Sequence, residues 1–329
     1  MSNLLIKGGT IVTPKRQFKG DIKVEDGMIK SITDYSNLPN KKSNFDISNG
    51  FEVIDATGLH IFPGVIDDQV HFREPGAIAK ATIYSESRAA VLGGVTSFMD
   101  MPNNNPPATS NDAIEHKLKI AEKDSYANYS FYLGATNDNL NEILAVDKKR
   151  ICGVKVFMGS STGNMLVDND IALEEIFAKS PVLVATHCED EATIKANLQY
   201  YKELYTGKEI PFSAHPLIRS REACIKSSSK AIELAKRFGT RLHILHISTA
   251  EEIKMITDTI SDGYKNITGE ICVHYLYFNS KDYEKMGSKI KCNPAIKDEP
   301  DMLALREAVK DGIIKVVATD HAHTKNLIC

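Results

Sequence analysis

Read from the amino terminus, the pattern of apolar and polar positions changes texture near residue 60. Before it, stretches such as "LLIKGGTIV" and "DIKVEDGMIKSI" alternate or run apolar and break at Gly-Gly and Asp-Gly, residues that close hairpins. The polar "KKSNFDISNG" reads as a loop-like insert and "FEVIDATG" as another short strand, which predicts a small β-domain over residues 1–60. From residue 61 onward, β-branched runs alternate with longer helical patterns. The runs are "HIFPGVIDDQVH", "VTSFMDMP", "YSFYLGA", "CGVKVFM", "VLVATH", "RLHILHIS", "ITGEICVH" and "IKVVATD". Between them lie stretches such as "ATIYSESRAAVLG" and "EACIKSSSKAIELAKRFG", several ending in Gly near a basic residue, as helix C-termini do. Eight strand candidates, each but the last followed by a helix or long connection, predict an α/β domain over residues 61–329 built as a (β/α)8 barrel. An open doubly wound sheet is the rival, because periodicity does not separate closed from open. Neither G-x-G-x-x-G nor G-x-x-x-x-G-K-[ST] occurs, which removes the usual nucleotide-binding reason for an open sheet.

Composition narrows the partners. At 329 residues, 42% hydrophobic and 25% charged, the chain has room for one large domain or two modest ones. A net charge of -3 gives no electrostatic ground for nucleic acid or a membrane surface, and no apolar run is long enough to span a bilayer. The start, "MSNLLIKGGT", is not a secretory signal. Six cysteines scattered without CxxC pairs argue against a disulfide framework and a cysteine-type zinc site, so a reducing cytoplasm is the expected location.

The chemistry collects at the ends of the apolar runs. "FPGVIDDQVHFREPG" places Asp67, Asp68, Gln69, His71, Arg73 and Glu74 within eight positions. Further along, Lys155, His187, His246, His274 and Asp320 also end strands. In a barrel, catalytic groups sit at that face. Any one of these histidines is as readily a hydrogen-bonded core residue. Together, His71, His187, His246 and Asp320 form the imidazole and carboxylate set of zinc or a similar divalent metal. Lys155 ligates nothing while protonated; with a lowered pKa, its amine could react with carbon dioxide to give an anionic carbamate.

At this point the motifs carry a resemblance. "PGVIDDQVHFREPG" resembles the metal-site signature of the cyclic amidohydrolases, and of dihydroorotase in particular. "VTSFMDMPNNNPP", "GVKVFMG", "VATHCED", "LHILHIST", "GEICVHYLYF", "KCNPAIK" and "VVATDHA" are similar to further dihydroorotase blocks in the same order. The resemblance implies a TIM barrel of the metal-dependent hydrolase type, preceded by a small β-sandwich domain. It implies interconversion of N-carbamoyl-L-aspartate and L-dihydroorotate in pyrimidine biosynthesis. Zn2+, one ion or two, would be held by His71, Lys155 as carbamate, His187, His246 and Asp320. Asp320 would also be the catalytic proton carrier, and Arg73, Asn103, Asn293 and His323 would bind substrate. Homodimers are common in that family, so a homodimer is a further expectation.

Two departures qualify it. The family carries histidine where this chain has Gln69, which implies a weakened second metal position or one ligated by Gln69. Strand alternation would put Asp67, Gln69 and His71 on one face and turn Asp68 away. At the other end, "DHAHTKNLIC" lacks the family's proline and stops where relatives continue, so a truncated, less stable chain without its last barrel helix is expected. Two rivals stand beside this reading: another cyclic-amide hydrolase, such as dihydropyrimidinase or allantoinase, and an inactive dihydroorotase-like scaffold subunit. The arginine and the "MPN" block argue against the first, the retained ionisable cluster against the second.

Overall fold

The computed structural model describes residues 3–38, 50–159 and 165–323. The insert "KKSNFDISNG" lies outside these residues apart from its final glycine. The chain divides into two compact units, one up to Val65 and one from Ile66 onward.

The first unit is a five-stranded sheet: β1 (Leu4–Val12), β2 (Gln17–Glu25), β3 (Met28–Asp34), β4 (Glu52–Asp55) and β5 (His60–Ile61), with the order β3-β2-β1-β4 and β5 also on β1. It stands where the sequence implied part of a β-sandwich. Asp26 and Gly27 both take positive φ and close the β2–β3 hairpin, as the Asp-Gly pair predicts. Gly8-Gly9 does not break a strand. The pair lies inside β1 as a bulge, where the register with β2 shifts between Ile6 and Gly9. Gly8 has a φ of 72° and its N–H donates to Asp21 Oδ1 at 2.9 Å. A Cβ on Gly9 would lie 2.5 Å from Ile61 Cδ1. The run "HIFPGVIDDQVH" therefore serves both units: His60–Ile61 pairs with β1, and the barrel begins after Pro63-Gly64.

The second unit is a closed (β/α)8 barrel. Its strands are β6 (Val65–His71), β7 (Val95–Asp100), β8 (Asn128–Gly134), β9 (Ile151–Phe157), β10 (Val184–His187), β11 (Leu242–Ile244), β12 (Ile267–Cys272), β13 (Val316–Ala318) and β14 (His321–Ala322). The last two are one run split at Asp320. β13 pairs with β12, β14 pairs in parallel with β6, and the ring closes. The helices are α1 (Ile83–Leu92), α2 (Asn111–Asp124), α3 (Leu140–Leu144), α4 (Asp170–Lys179), α5 (Glu191–Leu204), α6 (His215–Ile218), α7 (Arg221–Phe238), α8 (Ala250–Ser261), α9 (Tyr283–Met286) and α10 (Glu299–Lys310). Local signals set their ends. Thr249 and Glu252 form a reciprocal capping box at the start of α8, and Gly239 ends α7 in the left-handed region. None of these helices is long and apolar enough to cross a membrane.

Burial explains the closure. Val70, Phe72, Phe98, Phe131, Val154, Val156, Leu242 and Ile271 pack in one core with helix residues such as Ile114, Ile176 and Leu305. Each such side chain contributes about 1.5–3 kcal/mol. Met101, Tyr132, Ala185 and Leu245 form a separate small cluster.

His215, at the start of α6, donates from Nε2 to the Cys292 carbonyl at 2.8 Å. Burial lowers its pKa to about 4, with Arg219 and Lys291 acting the same way and the carbonyl opposing. The unfolded chain therefore takes up this proton first, near the ordinary histidine value. The contribution to stability is intact above about pH 6.5 and is lost as pH falls through 4, about 3 kcal/mol in all. Urea unfolding at pH 7 and pH 4 should show the acid-induced loss shrinking by that order in His215→Gln. An unchanged loss would contradict it.

Candidate active site at the strand ends

Barrel closure brings the predicted ligands together as two facing pairs. His71 ends β6; its Nδ1 is 2.5 Å from Asn103 Oδ1 and its Nε2 is 3.0 Å from Asp320 Oδ1. An amide oxygen only accepts, so Nδ1 carries the proton. Nε2 then faces a carboxylate as a lone pair, or else holds a second proton. His187 ends β10; its Nε2 donates to Glu189 Oε2 at 2.8 Å, which leaves Nδ1 bare, 2.9 Å from His246 Nε2. His246 Nδ1 and His274 Nε2 are both buried with no partner.

Lys155, 1% exposed in β9, couples the pairs. Its charge acts on His187 and His246, while Asp320 and Glu270 favour its charged form. Burial dominates and pulls its pKa down to about 8, so a neutral amine is accessible near physiological pH. Burial alone would raise Asp320. The His71 hydrogen bond and the charges of His71, His246 and His274 outweigh it and hold Asp320 at about 2.

Backbone strain marks the same place. Among the described non-glycine residues, positive φ occurs at Arg73 (67°), His246 (39°) and Asp320 (50°), and otherwise only at the turn residue Asp26. Side chains rarely adopt this region, and strain of this kind gathers at functional sites.

The other predicted residues divide. Arg73 has a buried Nε without a partner and lies within the fields of Asp100 and Asp320. Asn103, expected on the substrate, has its amide oxygen committed to His71. Asn293 is exposed, and so is His323 just past β14. Gln69 is buried against Cys272, whose Sγ is 3.8 Å from its Oε1, and joins neither pair.

Asp67 and Asp68 both find partners outside the two pairs. Asp67, expected to reach the site, accepts instead from the Thr319 hydroxyl at 2.5 Å and the Thr319 N–H at 3.2 Å. Asp68, expected to turn away, lies 3.6 Å from His243 Nε2. Sequence reading also missed Glu189 and Arg219. Glu189 is fully buried between the His187 ring and the Arg219 guanidinium, and the "HCED" block was the available signal. A Cβ on Gly159 would lie 1.8 Å from the Glu189 carbonyl oxygen, so the backbone after β9 packs directly on this segment.

Within each pair the spacing suits two ligands on one divalent cation, while among the described residues the set of three such ligand atoms within 4.8 Å of one another lies at Asp68, His243 and Glu270. Two ligands each about 2.1 Å from one ion lie roughly 3.0–3.4 Å apart, close to the two facing separations. A carboxylate behind His187 is the arrangement that fixes a ligating imidazole's tautomer. Glu189→Gln should therefore weaken metal binding about 10–100-fold with little change in fold, measured by competition with a chelator. Unchanged affinity would refute that role.

The chain matches the family described as "Amidohydrolase family" over residues 60–328. It belongs to the amidohydrolase family. An allantoinase of Desulfitobacterium hafniense is 33% identical over 327 residues, covering 97% of this chain and 69% of the relative. A dihydroorotase of Methanosarcina acetivorans is 31% identical over 331 residues, covering 98% and 68%. The solved L-hydantoinase (dihydropyrimidinase) of Arthrobacter aurescens matches with a TM-score of 0.89 at 26% identity, covering 98% of this chain and 70% of that one. The amidohydrolase chain thus has relatives under three activity names, not under dihydroorotase alone.

Proposed function

We propose that this amidohydrolase is metal-dependent and opens and closes the cyclic amide of L-dihydroorotate, with N-carbamoyl-L-aspartate as the open form, in the pyrimidine-forming pathway of the cytoplasm. The observation that carries it is the meeting of predicted metal ligands at the strand ends, His71 with Asp320 at 3.0 Å and His187 with His246 at 2.9 Å, beside an arginine whose buried Nε has no partner. His71, His187, His246 and Asp320 would hold Zn2+, with Lys155 joining them as a carbamate. When bound, such an ion lowers the pKa of water to about 7 and polarises a carbonyl.

The chain's own groups do the rest. Asp320 is ionised throughout the neutral range and so is in the form that accepts a proton from the attacking water and passes it to the leaving nitrogen. Asn103 holds His71 in one tautomer, and Glu189 holds His187. Arg73, whose buried Nε has no partner, offers a planar guanidinium to the carboxylate that dihydroorotate carries and hydantoin lacks.

The test is hydrolysis of L-dihydroorotate, allantoin and hydantoin by zinc-loaded protein, with Arg73→Lys beside wild type. The expected result is turnover of dihydroorotate, with KM raised about 10–100-fold in the variant by loss of the charge-assisted pair. Turnover confined to allantoin or hydantoin overturns the substrate, and allantoin is the sharper rival given the 33% identical relative.

A further inference from the structure

One step back along the strands from those pairs, two carboxylates and an imidazole converge. His243 Nδ1 is 2.8 Å from the Thr268 hydroxyl, which donates onward to the Leu242 carbonyl at 3.4 Å. When the hydroxyl donates onward in this way, Nδ1 carries the ring proton and a neutral imidazole presents Nε2 as a lone pair. Nε2 lies 3.1 Å from Glu270 Oε2 and 3.6 Å from Asp68 Oδ2. All three ligand atoms are within 4.8 Å of one another, the one such set of His, Cys, Asp and Glu among the described residues. Glu270 is fully buried, and its other oxygen takes the His246 N–H at 3.2 Å. The remaining oxygen of Asp68 is buried with no partner.

Two carboxylates and an imidazole lone pair in a buried space repel unless positive charge sits among them. Lys155 is within reach of Glu270, but Asp320 draws on the same ammonium. The geometry points to a second divalent-cation site, formed by Asp68, His243 and Glu270 and separate from the strand-end pairs.

Its mixed oxygen and nitrogen set suits a first-row ion such as Mn2+ or Zn2+. The 3.1 and 3.6 Å separations bracket the roughly 3.0–3.4 Å expected of neighbouring ligands on one ion. Thr268 fixes the His243 tautomer as an outer partner should. Asp68, with a side chain 16% exposed, provides the way in. The ligands come from β6, β11 and β12, so the ion ties β6 across the barrel to two strands that do not pair with it. Sequence reading gave Asp68 no role and left His243 and Glu270 unremarked.

The test is anomalous diffraction from crystals of the full chain grown with Mn2+, together with metal content in solution. The expected result is a peak about 2.0–2.4 Å from the three ligand atoms. Asp68→Asn should lose one equivalent of metal relative to wild type, and Mn2+ should raise the melting temperature of the variant less. His243→Gln provides the same comparison where Asp68→Asn folds poorly. Peaks only at the strand-end pairs, or an unchanged metal content in both variants, overturn the site and leave a shared proton holding the three groups. A peak at the three atoms with none at the strand ends supports this site while removing the proposed hydrolase centre, so the two readings fail separately.

Discussion

Asp320→Asn is expected to lower dihydroorotate turnover by about 10³–10⁴-fold while leaving the fold intact. The substitution keeps the shape of the side chain and removes its charge and its capacity to take a proton. Asp320 sits at a φ of 50°, a region asparagine tolerates well, so the backbone gains no strain from the change. The loss would therefore report on chemistry. Asp320 Oδ1 is the partner of His71 Nε2, and its charge helps keep Lys155 protonated in the metal-free chain. The variant should melt close to wild type yet retain metal poorly. Turnover within tenfold of wild type, at equal metal content, would remove Asp320 from the proposed mechanism.

Asp100→Ala should be the most destabilising single change outside that site, at about 3–5 kcal/mol. Lys117 in α2 is completely buried; its Nζ is 2.6 Å from Asp100 Oδ2 and also reaches Asn104 Oδ1 at 2.7 Å and the Met101 carbonyl at 3.0 Å. Burial lowers its pKa, and Asp100 is the charge that opposes this. Without Asp100, the ammonium keeps two neutral acceptors and loses its counter-charge. The Phe72 N–H also loses its acceptor at 2.8 Å, which loosens the segment after β6. Denaturant unfolding measures the cost. Adding Lys117→Met should recover much of it, because the uncompensated charge then disappears. A cost below 1 kcal/mol, or a double variant no better than the single, would contradict the account.

The alternation of β-branched runs with helical patterns determined the succession of strands and helices, because each such signal is local and survives without knowledge of its neighbours, whereas closure into a barrel rests on the pairing of β14 with β6. The placing of His71, Lys155, His187, His246 and Asp320 at the ends of those runs was legible for the same reason, and it pointed to a metal before any atom was placed. What tertiary structure decided is which atoms meet. Closure of the ring through β14 put Thr319 beside Asp67, and the barrel set Asp68 near His243. It also set Glu189 behind His187 and gave Asn103 to His71. A hydrogen bond depends on ångström-scale distances between groups up to 252 residues apart, as with Asp67 and Thr319, and no local pattern encodes such a distance. Sequence determined the kind of chemistry available, and packing determined which of those groups meet.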